Sequence, residues 1–132
     1  MTMAGDFRTV ILADSALAAL LGERVYPVRL PQKPSYPLLL LTRVSDEKDR
    51  TLDGTSRLRQ ARIQIDCKAE TQVVAAQIAD ELERLLDGKA ASGGDTRFAS
   101  CWITRRDERF EEGTETYRSS LDFEISYWST AP

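Results

Sequence analysis

The sequence lacks histidine entirely: none occurs among its 132 residues. Histidine is the commonest general base and metal ligand, and it activates serine and cysteine nucleophiles. Its absence removes the usual routes to hydrolytic catalysis. Cysteine is also scarce, since Cys67 and Cys101 are too few for a disulfide framework or a four-ligand zinc site. Both lie in apolar segments, so we expect buried free thiols and a reducing compartment.

Long hydrophobic runs are absent as well. Apolar runs such as residues 38–41 are far below the ~20 residues that a membrane-spanning helix needs. The first seven residues lack the basic start and the apolar stretch of a signal peptide. We therefore expect a protein that is made in the cytoplasm, carries no signal peptide and does not associate with a membrane.

Neither sign of charge dominates the composition. Lysine and arginine number 18 and aspartate and glutamate 21, which gives a net charge of −3. This balance argues against a protein that grips DNA over its whole surface. The basic residues Arg43, Arg57, Arg59 and Arg62 have no aromatic residues between them that would stack bases. Sequence-specific nucleic-acid binding is not expected.

The pattern of apolar residues predicts an α+β fold in one domain spanning residues 1–132. Helical spacing extends over residues 6–21, where Asp14-Ser15 resembles an N-cap and leaves open two short helices with a bend. Residues 71–86 are the clearest helix, with Thr71 as N-cap. The proline-rich residues 25–36 predict an extended surface crossing, and residues 89–96 a loop of small residues.

Residues 38–44, 59–69, 98–104 and 117–128 predict strands. In residues 59–69 apolar and polar positions alternate cleanly, which is typical of a half-buried strand. We expect a mainly antiparallel sheet of about four strands, packed on one side against the long helix of residues 71–86, with the N-terminal helical segment beside it.

Two charged segments lie between the predicted strands. Residues 45–58 contain the turn pair Asp53-Gly54 and predict a long charged hairpin arm, and residues 105–113 predict a loop or hairpin tip. Both mix charges of both signs. Neighbouring cations keep carboxylates ionised, which disfavours catalytic carboxylate pairs and metal sites and favours contacts between subunits. The candidate contact residues are Arg43, Asp46, Glu47, Lys48, Asp49, Arg50, Asp53, Arg57, Arg105, Arg106, Asp107, Glu108 and Arg109. No catalytic, cofactor-binding or metal-binding residue is expected.

Several stretches together resemble a known family. They are residues 11–22 (ILADSALAALLG), 24–27 (RVYP), 37–40 (PLLL), 50–54 (RTLDG), 61–69 (ARIQIDCKA), 107–111 (DERFE) and 117–123 (YRSSLDF). In this order, over nearly the whole chain, they resemble the tail-completion, or tail-terminator, proteins of long-tailed bacteriophages, prophages and gene transfer agents. Each stretch alone is generic, and the signal lies in their order and spacing.

The resemblance implies a structural virion protein without catalytic activity or cofactor. It implies a homo-oligomeric ring, typically a hexamer, that caps the tail tube at the head–tail junction and joins it to the head-side connector protein. Duplex DNA must pass such a ring without being held, and the net negative charge suits passage. Asp122 and Glu124, on the polar face of the last predicted strand, are candidate channel-wall residues; the alternative is that they only solvate the sheet.

Two other functions remain open at this point. One is a neighbouring head-completion ring, meaning a connector or stopper protein. The other is a small cytoplasmic ligand-binding module with a ferredoxin-like layout, in which the acidic clusters would bind a cation or a basic ligand. An uncharacterised hydrolase is disfavoured because histidine is absent.

Overall fold

The computed structural model of the chain describes residues 3–27, 29–48 and 58–130. Its helices are α1 (Met3–Leu12), α2 (Ser15–Leu21) and α3 (Gln72–Leu86). Its strands are β1 (Val25–Pro27), β2 (Leu38–Lys48), β3 (Arg59–Ala69), β4 (Ala91–Gly93), β5 (Thr96–Glu111) and β6 (Thr116–Ser129). The strands form one six-stranded sheet in the order β1-β2-β3-β6-β5-β4, which curves into a half-barrel.

The expected architecture of about four strands against one long helix is wrong. The protein is mostly sheet, with six strands in mixed orientation and three short helices. The strands β1 and β4 span only three residues each, too few for a periodic pattern. β1 pairs in parallel with β2 and β4 pairs with β5, so tertiary neighbours decide both conformations. The order of elements also differs from the β-α-β-β-α-β order of a ferredoxin-like fold.

Of the charged residues 105–113, predicted as a loop or hairpin tip, only residues 112 and 113 lie in the turn of the β5–β6 hairpin. β5 continues through the others to Glu111, paired with β6 along its length. β2 likewise continues to Lys48, where its last residues pair with the start of β3. Because backbone pairing holds these segments, their polar side chains do not prevent strand formation. The rest of the predicted arm, including Asp49, Arg50, Asp53, Gly54 and Arg57, lies outside the described residues.

The helix boundaries predicted at Asp14, Gly22 and Thr71 are confirmed, whereas α1 begins at Met3, before the predicted start at residue 6. Asp14 separates α1 from α2 and accepts a hydrogen bond from the Leu17 backbone N–H at 3.2 Å. Gly22 ends α2 with a φ of 60°, a conformation that favours glycine. Thr71 caps α3 by accepting from the Val74 backbone N–H at 3.3 Å.

The helices cover one face of the sheet, and the hydrophobic core lies between the helices and that face. The predicted alternation of β3 is confirmed, because Ala61, Ile63, Ile65 and Cys67 face this core. Cys67 and Cys101 are both buried and free. Burial raises the pKa of both thiols, that of Cys101 to about 12, so neither is a reactive thiolate at neutral pH.

Candidate functional site

The face of the sheet opposite the helices, called the outer face below, carries the main polar surface. Paired strands bring its side chains into rows that cross β3, β6 and β5. The rows are Arg62–Glu124–Trp102, Gln64–Asp122–Arg105, Asp66–Ser120–Asp107 and Lys68–Arg118–Arg109. Acidic and basic residues therefore lie side by side on the outer face.

The two candidate channel-wall residues both lie on the outer face. Glu124 is exposed and forms an ion pair with Arg62 at 3.1 Å. Asp122 is half-buried and lies between Gln64 and Arg105 in its row. Each carboxylate thus has an arginine as a row neighbour, and the negative charge of this wall is partly balanced.

The candidate contact residues of β2 fall into two groups. Asp46 points toward the core side of the sheet, where it accepts hydrogen bonds from Arg59 Nε at 3.0 Å and from the Tyr127 hydroxyl. Burial first, and then Asp46, raise the pKa of Tyr127 to about 12. Asp46 therefore holds three strands of its own chain together. Arg43 is exposed but also forms an ion pair with Asp46 at 3.4 Å, whereas Glu47 and Lys48 are exposed.

The candidate contact residues of β5 alternate between the two faces. Arg106 points toward α3 and binds Asp80 at 2.8 Å and Glu83 at 3.4 Å, with Glu108 at 3.5 Å beside it. Burial lowers the pKa of Arg106, but these carboxylates outweigh it and the net shift is upward. Arg106 thus ties β5 to α3 within the chain.

The remaining three β5 candidates lie on the outer face. Arg105 forms an ion pair with Asp107 at 3.3 Å, and Arg109 is exposed. Because their side chains point away from the helices, these residues can meet a partner without breaking a contact to α3.

One charged cluster was not predicted from the sequence. Glu111 lies 3.5 Å from Lys68 and 3.8 Å from Arg118, and all three side chains are at most one-quarter exposed. Glu111 Oε1 and Arg118 Nε have no hydrogen-bond partner among the described residues. The cluster joins the ends of three strands, so only the pairing register could have revealed it.

Three large apolar side chains are exposed near the sheet margins. Val44 is 54% exposed, Trp102 57% and Phe110 48%. Phe110 lies in β5 against the Tyr117 ring, with 5.0 Å between centroids. Exposed apolar groups on strands at or near the edge of a sheet are suited to a protein partner.

The described residues present polar and apolar surfaces that another protein could contact. Among the described residues, no group of three or more Cys, Asp or Glu side chains is placed to hold a metal ion. In the same part of the chain, no helix is long and apolar enough to cross a membrane.

Comparisons with known proteins agree with this geometry. The model of the family "Tail completion protein gp17" matches residues 6–127, and the chain belongs to that family. It is accordingly a structural virion protein of the phage and gene transfer agent class. A chain from the virion of a native gene transfer agent particle has a similar fold, with a TM-score of 0.71 and 19% identity, covering 96% of this chain and 95% of that one. No curated protein matches the chain.

Proposed function

We propose that residues 1–132 act as one tail-terminator-like domain that assembles into a hexameric ring at the head–tail junction. The ring caps the tail tube, contacts the head-side connector and lets duplex DNA pass. The family match over residues 6–127 carries this proposal. The surfaces agree with it, because charges of both signs lie on exposed strand positions where neighbouring subunits could match them.

The charged arm is proposed to hold neighbouring subunits or the tail tube. Lys48 and Arg59 are cross-strand partners, so a two-residue Asn-Gly turn can replace residues 49–58 without disturbing the register. We expect the shortened variant to stay folded and monomeric, while the full chain forms a ring alone or on purified tail tubes. Native mass measurement of both proteins, with and without tubes, distinguishes a monomer from a ring.

Thermal unfolding of the shortened variant is the control, because a large fall in Tm would mean that the fold itself was damaged. A full chain that stays monomeric even with tubes contradicts the ring. A shortened variant that still forms complete tails contradicts the role of the arm. Binding to isolated connectors but not to tubes would favour a head-completion ring instead.

We expect the assembled ring to have no appreciable affinity for duplex DNA at physiological salt. Each chain adds a net charge of −3, and Asp122 and Glu124 lie on the outer face proposed to line the channel. Replacing both with lysine should create salt-dependent DNA binding, because phosphate contacts release counterions. Fluorescence anisotropy across a salt series measures the change.

A control variant with the same charge change elsewhere tests whether DNA binding depends on the position of the new lysines. Glu23→Lys with Asp95→Lys makes the same charge change at exposed positions that lie before β1 and between β4 and β5, outside the outer-face rows. Equal DNA binding by both variants would mean that Asp122 and Glu124 do not line the channel. Tight, salt-sensitive binding by the unmodified ring would contradict a DNA conduit altogether.

A further inference from the structure

Each margin of the sheet is covered along only half of its length. β1 pairs with Leu39–Leu41 of β2, and β4 pairs with Thr96–Phe98 of β5. Among the described residues, no strand pairs with the outer edge of β2 at residues 42–48 or with that of β5 at residues 104–111. We call these segments the β2 free edge and the β5 free edge. Long uncovered edges are ready templates for another strand.

Backbone hydrogen bonds beyond the short strands also belong to the covered halves. The Leu39 N–H donates to Arg24 O at 2.9 Å, beside β1. At the other margin, Gly88 N–H donates to Cys101 O at 2.7 Å, and Ile103 N–H donates to Asp87 Oδ1 at 2.9 Å. In the two free edges, every second residue directs its N–H and C=O away from the sheet. These groups are available to a neighbouring strand.

The two free edges lie at diagonally opposite corners. The strand pairings align residues 45–48 of β2 with the part of the sheet that contains β4, and residues 105–111 of β5 with the part that contains β1. A second copy moved sideways and along the strand direction therefore brings its β2 free edge against the β5 free edge of the first. Such a stagger is what tilted strands need when a sheet closes into a ring.

The outer-face charges of the two edges are compatible with this combination. The β5 free edge carries Arg105, Asp107, Arg109 and Glu111 in alternation on the outer face, whereas Arg106 points toward α3. The β2 free edge carries the exposed Glu47, which can approach Arg105 or Arg109 because all three side chains lie on the outer face. When the β2 free edge of one copy pairs with the β5 free edge of another, the pair still has one unpaired β2 free edge and one unpaired β5 free edge. Further copies can therefore add in the same way until the ring closes.

We propose that neighbouring copies of this chain join through an antiparallel pairing of the β5 free edge of one copy with the β2 free edge of the next. The sheet then continues from subunit to subunit around the ring. This inference rests on the proposed ring, but it specifies the contact: a backbone ladder between unlike edges, with Val44 and Phe110 contributing apolar surface along it.

Cross-linking of two single variants tests the pairing. Ser45→Cys and Asp107→Cys are placed near the middle of the β2 and β5 free edges, on the same face of the sheet. After the two chains are mixed, a short bismaleimide should join one of each kind, and neither chain alone should react with itself. The native thiols are buried, so the unmodified chain should stay uncross-linked. A chain carrying both substitutions should give a ladder that ends at the ring size.

An exposed position at the far margin of the sheet from β2 provides the control. Asp95→Cys lies between β4 and β5 and should not cross-link to Asp107→Cys of another copy. Native mass measurement of the same samples tests the proposed ring separately from the proposed edge pairing. A ring without the Ser45–Asp107 cross-link overturns the edge pairing and leaves the ring standing, whereas chains that stay monomeric on tail tubes overturn the ring itself. Cross-linking of Ser45→Cys with itself would indicate self-pairing and also overturn the inference.

Proline substitution distinguishes a backbone ladder from simple proximity. The Ile103 N–H points away from β6, since it donates to Asp87 Oδ1. Along a strand the backbone N–H groups point alternately to one neighbour and the other, and the extra residue before Arg105 shifts this alternation by one residue. The Glu108 N–H therefore also points away from β6, toward the free edge. Glu108→Pro removes this donor at an edge position where proline is tolerated, and it should abolish the ring while the monomer keeps its Tm. Glu108→Gln removes the charge alone and should keep the ring. Rings of Glu108→Pro with unchanged stability would contradict the ladder.

Discussion

Leu82→Ala should lower the free energy of unfolding by about 2–5 kcal/mol. Leu82 is fully buried in α3, within the cluster of side chains that packs this helix on the sheet. Truncation removes apolar contacts and leaves a cavity that the surrounding half-barrel can close only in part. Denaturant unfolding followed by circular dichroism measures the change.

Val73→Ala is the matched control on the same helix. Its side chain is 76% exposed, and alanine favours a helix at least as well as valine does. We expect a change within about 0.5 kcal/mol at this exposed position. Equal stability of Leu82→Ala and the unmodified chain would mean that α3 does not pack on the sheet through this side.

The elements defined by local signals could be predicted from the sequence. In α3 the apolar positions Ile78 and Leu82 recur at helical spacing after the Thr71 cap, and both are buried. In β3 a strict alternation indicates which side faces the core. Each of these signals lies within one segment, so no knowledge of distant neighbours is needed.

The parts that depend on pairing could not be predicted. An extra residue interrupts the pairing once in β2, between Arg43 and Ser45, and twice in β5, between Phe98 and Ser100 and between Ile103 and Arg105. An extra residue exchanges the faces of every side chain that follows it. For this reason Asp46 and Arg106 point to the core side, although simple alternation from Leu41 and Cys101 assigns even-numbered positions to the outer face.

The same exchange decides what the candidate contact residues do. The charges of these residues were evident from the sequence, but the sequence did not show which of them form ion pairs within the chain. Asp46 binds Arg59 and Arg106 binds Asp80, whereas Glu47 and Arg109 are exposed on the outer face. Charge content therefore predicted a polar surface, and strand register selects the residues that a partner can reach.

Gly93→Ala should be strongly destabilising, by about 2–3 kcal/mol, although it adds a single methyl group. Gly93 is the last residue of β4, and α1 crosses it closely. A Cβ atom at this position would overlap the backbone oxygen of Asp6 and would lie 3.0 Å from Val10 Cγ2. A backbone oxygen inside a helix cannot rotate away, so α1 must move off the sheet, and the packing of Phe7 on Phe98 must loosen with it.

Gly113→Ala is the matched control for this prediction. Gly113 lies in the turn between β5 and β6, and a Cβ atom there would meet nothing within 4 Å. The same methyl group should leave Tm nearly unchanged or raise it slightly, because alanine narrows the unfolded ensemble. Thermal unfolding of both variants measures the difference between them. Comparable Tm values for Gly93→Ala and Gly113→Ala would contradict the close crossing of α1 over β4, and with it the way the N-terminal helices cover this end of the core.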